Sequence, residues 1–234
     1  MTSVAALICD CDGVLIDSEA VAARVLVREL EARWPGVAVE PVVMPLLGQR
    51  IERVLGGACE ALDRSLAAHD VAAIGVAVER EAQDAPLFPG VMAALEGVAL
   101  LKACASNSYT AIVRAVLARN GLARFFGERI YCADKVAKPK PAPDVYLAAA
   151  QGMDVAPAAC LVVEDSVAGV SAARAAGMTV LGFVGGTHVG DAHAQALHDV
   201  GAIEVFDDMS TLPARVAYWT QKMQAVQAAQ AASH

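Results

Sequence analysis

The sequence predicts an α/β protein: a parallel sheet covered by helices on both faces, with a block of helices interposed after the first strand. Three observations lead there. Val4–Cys9 is an unbroken apolar run that ends at an acidic, glycine-bearing turn, Asp10 to Gly13. From Gly90 onward, apolar strand-like runs alternate with helix-patterned segments, the signature of strand–helix units around a parallel sheet. Between them, residues 37–85 offer helical pieces and no convincing strand beyond Val37–Val39.

The elements follow in order. The first run is short and uncharged, as a strand buried on both faces must be. Residues 18–33 carry helical spacing, with Ser18 as the N-cap and Pro35-Gly36 as the stop. Helical pieces follow over 51–55, 59–68 and 74–83. Pro86-Leu87-Phe88-Pro89-Gly90 is a rigid, turn-rich break that marks a boundary. Beyond it, strands are expected over 98–105, 129–132, 159–163 and 179–183. Helices are expected over 109–119, closed by Gly121, over 143–151, and over 167–176, closed by Gly177. The tail from Thr220 is rich in Ala and Gln and reads as a frayed helix or a disordered end.

A length of 234 residues is ample for a buried core, and suits one domain carrying a second, smaller one. Apolar residues at 56% against 19% charged exclude a disordered, charge-rich chain. The mean hydropathy of +0.46 raises the question of a membrane. No uncharged apolar run approaches the ~18 residues that a spanning helix requires. The start of the chain has neither the basic segment nor the long apolar segment of a signal peptide. The charge balance of 18 basic against 26 acidic residues, net −8, has no basic stripe and argues against nucleic acid. The six cysteines form no Cys-x-x-Cys pair, which suits reduced thiols in a cytoplasm better than zinc or secreted disulfides.

In a parallel sheet, sites form at the carboxyl ends of strands. Four polar clusters fall at such ends. Asp10-Cys11-Asp12-Gly13-Val14 places two carboxylates two residues apart, where mutual repulsion calls for a cation or a shared proton; alone, it reads equally as a solvated acidic turn. Ser106-Asn107-Ser108 can hold a phosphate at the start of the next helix, or simply cap that helix. Lys138-Pro139-Lys140-Pro141-Ala142-Pro143-Asp144 sets a lysine on a stiff support, with two lysines competing for the role of point charge and an exposed loop as the plain alternative. Glu164-Asp165-Ser166 abuts an apolar strand end, where buried charge needs a partner such as a hard cation with oxygen ligands, unless the group only caps a helix. An Asp-x-Asp, a hydroxyl, a lysine and an acidic pair on four successive strand ends form a far sharper pattern than any one cluster.

That pattern resembles the haloacid dehalogenase-like phosphohydrolases over residues 4–185. Asp10-Cys11-Asp12-Gly13-Val14 looks like the first family motif, Ser106 the second, Lys140 the third, and Glu164-Asp165-Ser166-x-x-Gly169 the fourth. Lys140 is preferred over Lys138 because Lys-Pro-Ala-Pro-Asp at 140–144 matches the family run. The resemblance implies a Rossmann-like three-layer α/β/α core over 1–16 and 87–220, a helical cap over 17–86, and a tail over 221–234. The cap is similar to that of the β-phosphoglucomutase-like branch, which includes sugar-phosphate phosphatases. The implied chemistry is attack on phosphorus by Asp10, with Asp12 as general acid and base. Ser106, Asn107 and Lys140 bind the phosphate, and Asp10, Asp12, Glu164 and Asp165 hold Mg²⁺. Gln49 and Arg50 in the cap are candidate substrate contacts, or exposed cap residues.

Mutases of that branch carry a histidine, a lysine and an arginine at cap positions that here are Ala22, Leu47 and Ile51. The expected function is therefore hydrolysis of a small phosphorylated metabolite by a monomeric, cytoplasmic enzyme. A phosphomutase and a non-catalytic phosphosugar-binding protein are the alternatives. His188, His193 and His198 do not share one helical face at a spacing of five, and read as loop or surface residues.

Overall fold

The computed structural model describes residues 4–47, 51–186 and 191–231, with backbone alone at 191 and 226–231. Its contacts divide the chain into two units: Met1–Ile16 with Leu87–Gly185 and Val189–His234, and Asp17–Pro86 with Gly186–His188. The first unit carries β1 (Ala6–Cys9), β2 (Leu101–Ser106), β3 (Ile130–Cys132), β4 (Cys160–Glu164), β5 (Thr179–Phe183) and β6 (Glu204–Phe206). They form one parallel sheet in the order β3-β2-β1-β4-β5-β6. The helices of the second unit are α1 (Ser18–Arg33), α2 (Glu40–Val43), α3 (Ile51–Leu62) and α4 (Ala68–Ala82). Those of the first are α5 (Val91–Gly97), α6 (Thr110–Arg119), α7 (Ala123–Phe126), α8 (Asp144–Gly152), α9 (Val167–Ala175), α10 (Asp191–Asp199) and α11 (Leu212–Ala231).

The strand order explains the layering. Crossovers run outward from β1 through β2 to β3, then return past β1 and run the other way from β4. Right-handed crossovers then put the returning helices on the opposite face from the outgoing ones. The core agrees with this. Alternate strand residues Ala6, Ile8, Ala103, Ala105, Val162 and Val180 meet Val145, Tyr146 and Ala149 of α8, Val170 and Ala173 of α9, and Leu197 of α10 in one buried cluster. Leu7, Cys9, Cys104, Leu161, Val163 and Leu181 fill the intervening strand positions, point to the other face, and are also buried. Burial on both faces is why these strands read as continuous apolar runs.

The structure departs from the sequence reading at several places. Asp17 caps α1, its Oδ1 accepting from the Ala20 N–H at 3.2 Å, and Ser18 is the first helical residue. No strand forms at Val37–Val39: Val39 is a buried residue in helical conformation immediately before α2, and Pro41 sits in the first turn of that helix. Ser106 ends β2 instead of opening a helix; α6 begins at Thr110, whose N–H and hydroxyl both bond Asp134. A sixth strand, β6, is three residues long and includes Glu204, too short and too polar at one end to stand out as an apolar run. It is held by pairing with β5 and by the Phe206 ring 5.2 Å from that of Phe183. The Ala/Gln-rich tail continues α11 as far as Ala231. Among the described residues, no helix is long and apolar enough to cross a membrane.

In the helical unit, α1 packs along α4. Arg28 pairs with Glu81 at 2.9 Å and Arg33 with Asp70 at 2.9 Å across the pair. These contacts are at least partly solvated, so the buried apolar residues of α1, among them Val25, Leu26 and Leu30, contribute more to its docking.

Candidate active site

Strands β1 and β4 are neighbours at the point where the strand order reverses, and open parallel sheets bind ligands beyond the carboxyl ends of such strands. Asp10 leaves the end of β1 with its N–H still bonded to the Val163 carbonyl at 3.0 Å. Glu164 is the last residue of β4. Lys140 arrives from the proline-rich loop before α8, and its ammonium donates to Asp10 Oδ1 at 2.9 Å, to Glu164 Oε1 at 2.5 Å and to the Ala105 carbonyl at 2.9 Å. The competition between the two lysines is thus resolved by burial: Lys138 is exposed, whereas the Lys140 side chain is 3% exposed.

Each group around this triad has its place fixed. Asn107 clamps the Lys140 backbone with two bonds, Nδ2 to the carbonyl at 3.1 Å and Oδ1 from the N–H at 2.8 Å. Ser106 Oγ accepts from the Ser108 N–H at 3.0 Å, and the Ser108 hydroxyl donates to Asp12 Oδ2 at 2.8 Å. Glu164 is fully buried and accepts four hydrogen bonds. Oε1 takes Lys140 and the Tyr146 hydroxyl at 3.0 Å, and Oε2 takes the N–H and the hydroxyl of Ser166 at 2.9 and 3.0 Å. Ser166 also caps α9, its Oγ accepting from the Gly169 N–H.

Two glycines make room for the carboxylates. Gly13 has φ +74°, and a Cβ there would lie 1.9 Å from Asp165 Oδ2. A Cβ at Gly169 would lie 1.7 Å from Glu164 Oε1. The acidic turn after β1 and the turn after β4 therefore touch.

The electrostatics follow from burying two carboxylates with one ammonium. Burial pushes the Asp10 carboxyl up to about 7; the pull of Lys140 opposes this, and the charges of Glu164 and Asp12 add to it. Burial also acts against charge on Glu164 and on Lys140. For Glu164 the Lys140 ammonium and the Ser166 and Tyr146 bonds prevail, so its carboxyl lies below the usual range. For Lys140 the two carboxylates prevail, so its ammonium is held well above the usual lysine value. With all three groups ionised the triad carries one net negative charge. The Asp10, Glu164 and Asp165 oxygens also converge, one from each lying within 4.8 Å of the others. All are hard oxygen donors, the set that suits Mg²⁺ or Ca²⁺ rather than a soft metal.

The profile of the haloacid dehalogenase-like hydrolase family matches residues 4–177. The chain belongs to the haloacid dehalogenase-like hydrolases. A conserved haloacid dehalogenase-like protein of unknown function from Agrobacterium tumefaciens str. C58 has the same fold with a TM-score of 0.81 at 34% identity, over 92% of this chain and 98% of that one. A haloacid dehalogenase family hydrolase from Deinococcus radiodurans R1, solved with bound phosphate and sodium, gives a TM-score of 0.80 at 30% identity, over 93% and 97%. The 6-phosphogluconate phosphatase of Escherichia coli (strain K12) is 27% identical over 197 residues, 80% of this chain and 86% of that one. The first three curated relatives are matched over 24%, 20% and 40% of their own lengths.

As in the sequence pattern of this hydrolase family, the four strand ends deliver Asp10, Asp12, Ser106, Asn107, Lys140, Glu164 and Asp165 to one region of the first unit. Gln49, Arg50 and His188 lie outside the described residues. Three more side chains join the same hydrogen-bond network without having been given a site role by the sequence: Ser108, Tyr146 and His193, the last expected as a loop or surface residue and found bonded through Nε2 to the Asp165 carbonyl at 2.6 Å. Ser108 lay within a cluster already singled out. A tyrosine six residues after Lys140, on the helix that the lysine loop leads into, was a signal available for Tyr146. His193 sits on helix α10, 28 residues from its partner, and local sequence carries no sign of that contact.

Proposed function

We propose that this hydrolase is a Mg²⁺-dependent phosphatase that cleaves a small phosphate monoester, a sugar phosphate or related metabolite, through an aspartyl-phosphate at Asp10. The observation that carries the reading is the buried Asp10 carboxylate held on Lys140, with Glu164 and Asp165 oxygens converging beside it. A nucleophile must be presented to phosphorus as an anion, and the Lys140 ammonium draws the buried Asp10 carboxyl toward that form against the burial that favours its proton.

In this reading an Asp10 oxygen attacks phosphorus, and the bond from phosphorus to the ester oxygen breaks. Asp12 gives its proton to the departing oxygen, then takes one from the water that attacks the phosphoryl group, and Asp10 is released with inorganic phosphate. The Ser108 hydroxyl orients Asp12 for both transfers. Ser106, the Asn107 main chain and Lys140 stabilise charge on the transferring oxygens. Asp10, Asp165 and the Asp12 carbonyl would hold Mg²⁺, with Glu164 as a further carboxylate of the site. The ion supplies the positive charge that an anionic nucleophile needs in order to approach an anionic ester. Ala22, Leu47 and Ile51 replace the groups that would hold a second phosphate in a mutase, so hydrolysis is the reading of choice. Binding without turnover would give no use to an Asp12 held by Ser108 beside the nucleophile.

The test is a screen of phosphate monoesters, including 6-phosphogluconate and both glucose phosphates, that scores phosphate release and isomer formation separately. Phosphate release that needs Mg²⁺, stops with chelator and falls about 10³-fold or more in Asp10→Asn supports the reading. Isomer formation without phosphate release, or Asp10→Asn turnover within about tenfold of the parent, refutes it.

A further inference from the structure

We infer that His193 is a positioning residue for the metal site, acting through the peptide unit that joins Asp165 to Ser166. This rests on the reading above, in which Asp165 holds the divalent cation. A carbonyl oxygen only accepts, so His193 Nε2 carries the proton that it shares with the Asp165 oxygen across 2.6 Å. The N–H at the other edge of the same peptide plane, that of Ser166, donates to Glu164 Oε2 at 2.9 Å. The peptide is rigid and planar, so one plane is pinned at both edges.

The Asp165 Cα lies in that plane, so the plane's tilt sets the direction in which the Asp165 carboxylate leaves the backbone. Without the histidine the carbonyl edge of the plane loses the bond that opposes its rotation. The carbonyl precedes the N-cap of α9 and has no place in the helix ladder, which leaves it to be satisfied from outside. Bonds at the two ends of a peptide also polarise each other. The bond from His193 thereby strengthens that from Ser166 to Glu164, which in turn holds Lys140 against Asp10. The sequence places His193 on an element that contributes no family motif, yet a continuous path of hydrogen bonds ties it to the nucleophile.

The experiment is Mn²⁺ titration followed by electron paramagnetic resonance on the full chain, comparing the parent with His193→Phe, His193→Gln and Asp165→Ala. Circular dichroism of each variant confirms the native fold. Gln offers an amide N–H at a reach close to that of Nε2. Loss of an outer partner of a metal ligand typically costs about 10–100-fold in affinity. His193→Phe should therefore weaken Mn²⁺ binding by about tenfold or more, and His193→Gln should stay within about threefold of the parent. Asp165→Ala should bind least. Parental affinity in His193→Phe alongside lost affinity in Asp165→Ala overturns the inference and leaves the site reading standing. Equal weakening in the Gln and Phe variants also overturns it, since bulk and not the donated bond would then matter. Parental affinity in Asp165→Ala overturns the site reading and the inference together.

Discussion

Asp10→Asn should make the metal-free protein more stable, in a way that depends on pH. Burial raises the Asp10 carboxyl from 3.8 to about 7 in the folded chain. A folded state that binds its proton more tightly than the unfolded chain loses stability as pH rises between those two values. The contribution is greatest below about pH 4, falls through the interval and is flat above about pH 7. At about 1.4 kcal/mol per pH unit, the ionised carboxylate costs the fold up to about 4 kcal/mol at pH 8. Asparagine copies the protonated acid in shape and leaves Lys140 and Glu164 as a neutral pair. Urea unfolding with chelator present, run on parent and variant from pH 4 to 9, isolates Asp10 and the groups whose charges it touches, because every more distant titration is common to both. The expected result is equal stability near pH 4 and a variant more stable by as much as about 4 kcal/mol at pH 8. A difference that does not change with pH, or a variant less stable at pH 8, refutes the reasoning.

Three other changes probe the same network. Lys140→Met leaves two buried carboxylates without their ammonium and should destabilise the protein by about 3–5 kcal/mol at pH 8, measured by urea unfolding. Gly169→Ala puts a methyl group 1.7 Å from Glu164 Oε1 and should lower stability by about 1–3 kcal/mol. Gly75→Ala, in α4 with nothing within 4 Å, should raise it by about 0.5–1 kcal/mol, so thermal melts of these two variants should move in opposite directions. Ser108→Ala removes a bond to the Asp12 carboxyl worth about 1.5 kcal/mol, about tenfold in rate. It should lower kcat by that factor and leave KM close to the parent value, as steady-state kinetics would report.

The sheet was legible because parallel strands buried on both faces cannot hide: Val4–Cys9 and Ala159–Val163 are apolar throughout, and each ends abruptly in charge. The same abruptness exposed Asp10 and Glu164-Asp165. What stayed out of reach depends on contacts distant in sequence. Lys138 and Lys140 are equivalent by local chemistry, and only the family resemblance preferred Lys140; the physical reason is that the fold buries it between carboxylates 130 and 24 residues away. Strand β6 draws its stability from β5 and from Phe183, not from its own composition. The cap of α1 fell one residue early because Asp17 and Ser18 are both good capping side chains and only the backbone decides between them. Glu164 stands out locally only as a charge at the end of an apolar strand; the four hydrogen bonds that it accepts from Lys140, Tyr146 and Ser166 include partners 24 and 18 residues away, which local sequence does not show.

The covalent step is the heart of the account, and acid quench of the protein during steady turnover, followed by borohydride reduction and peptide mapping, tests it most directly. An acyl phosphate is reduced to an alcohol, whereas a free carboxylate is not. The prediction is conversion of position 10 to homoserine, only when both substrate and Mg²⁺ are present. Robust phosphate release with position 10 unreduced, or reduction at another carboxylate, would contradict the assignment of Asp10 as the group that receives the phosphoryl.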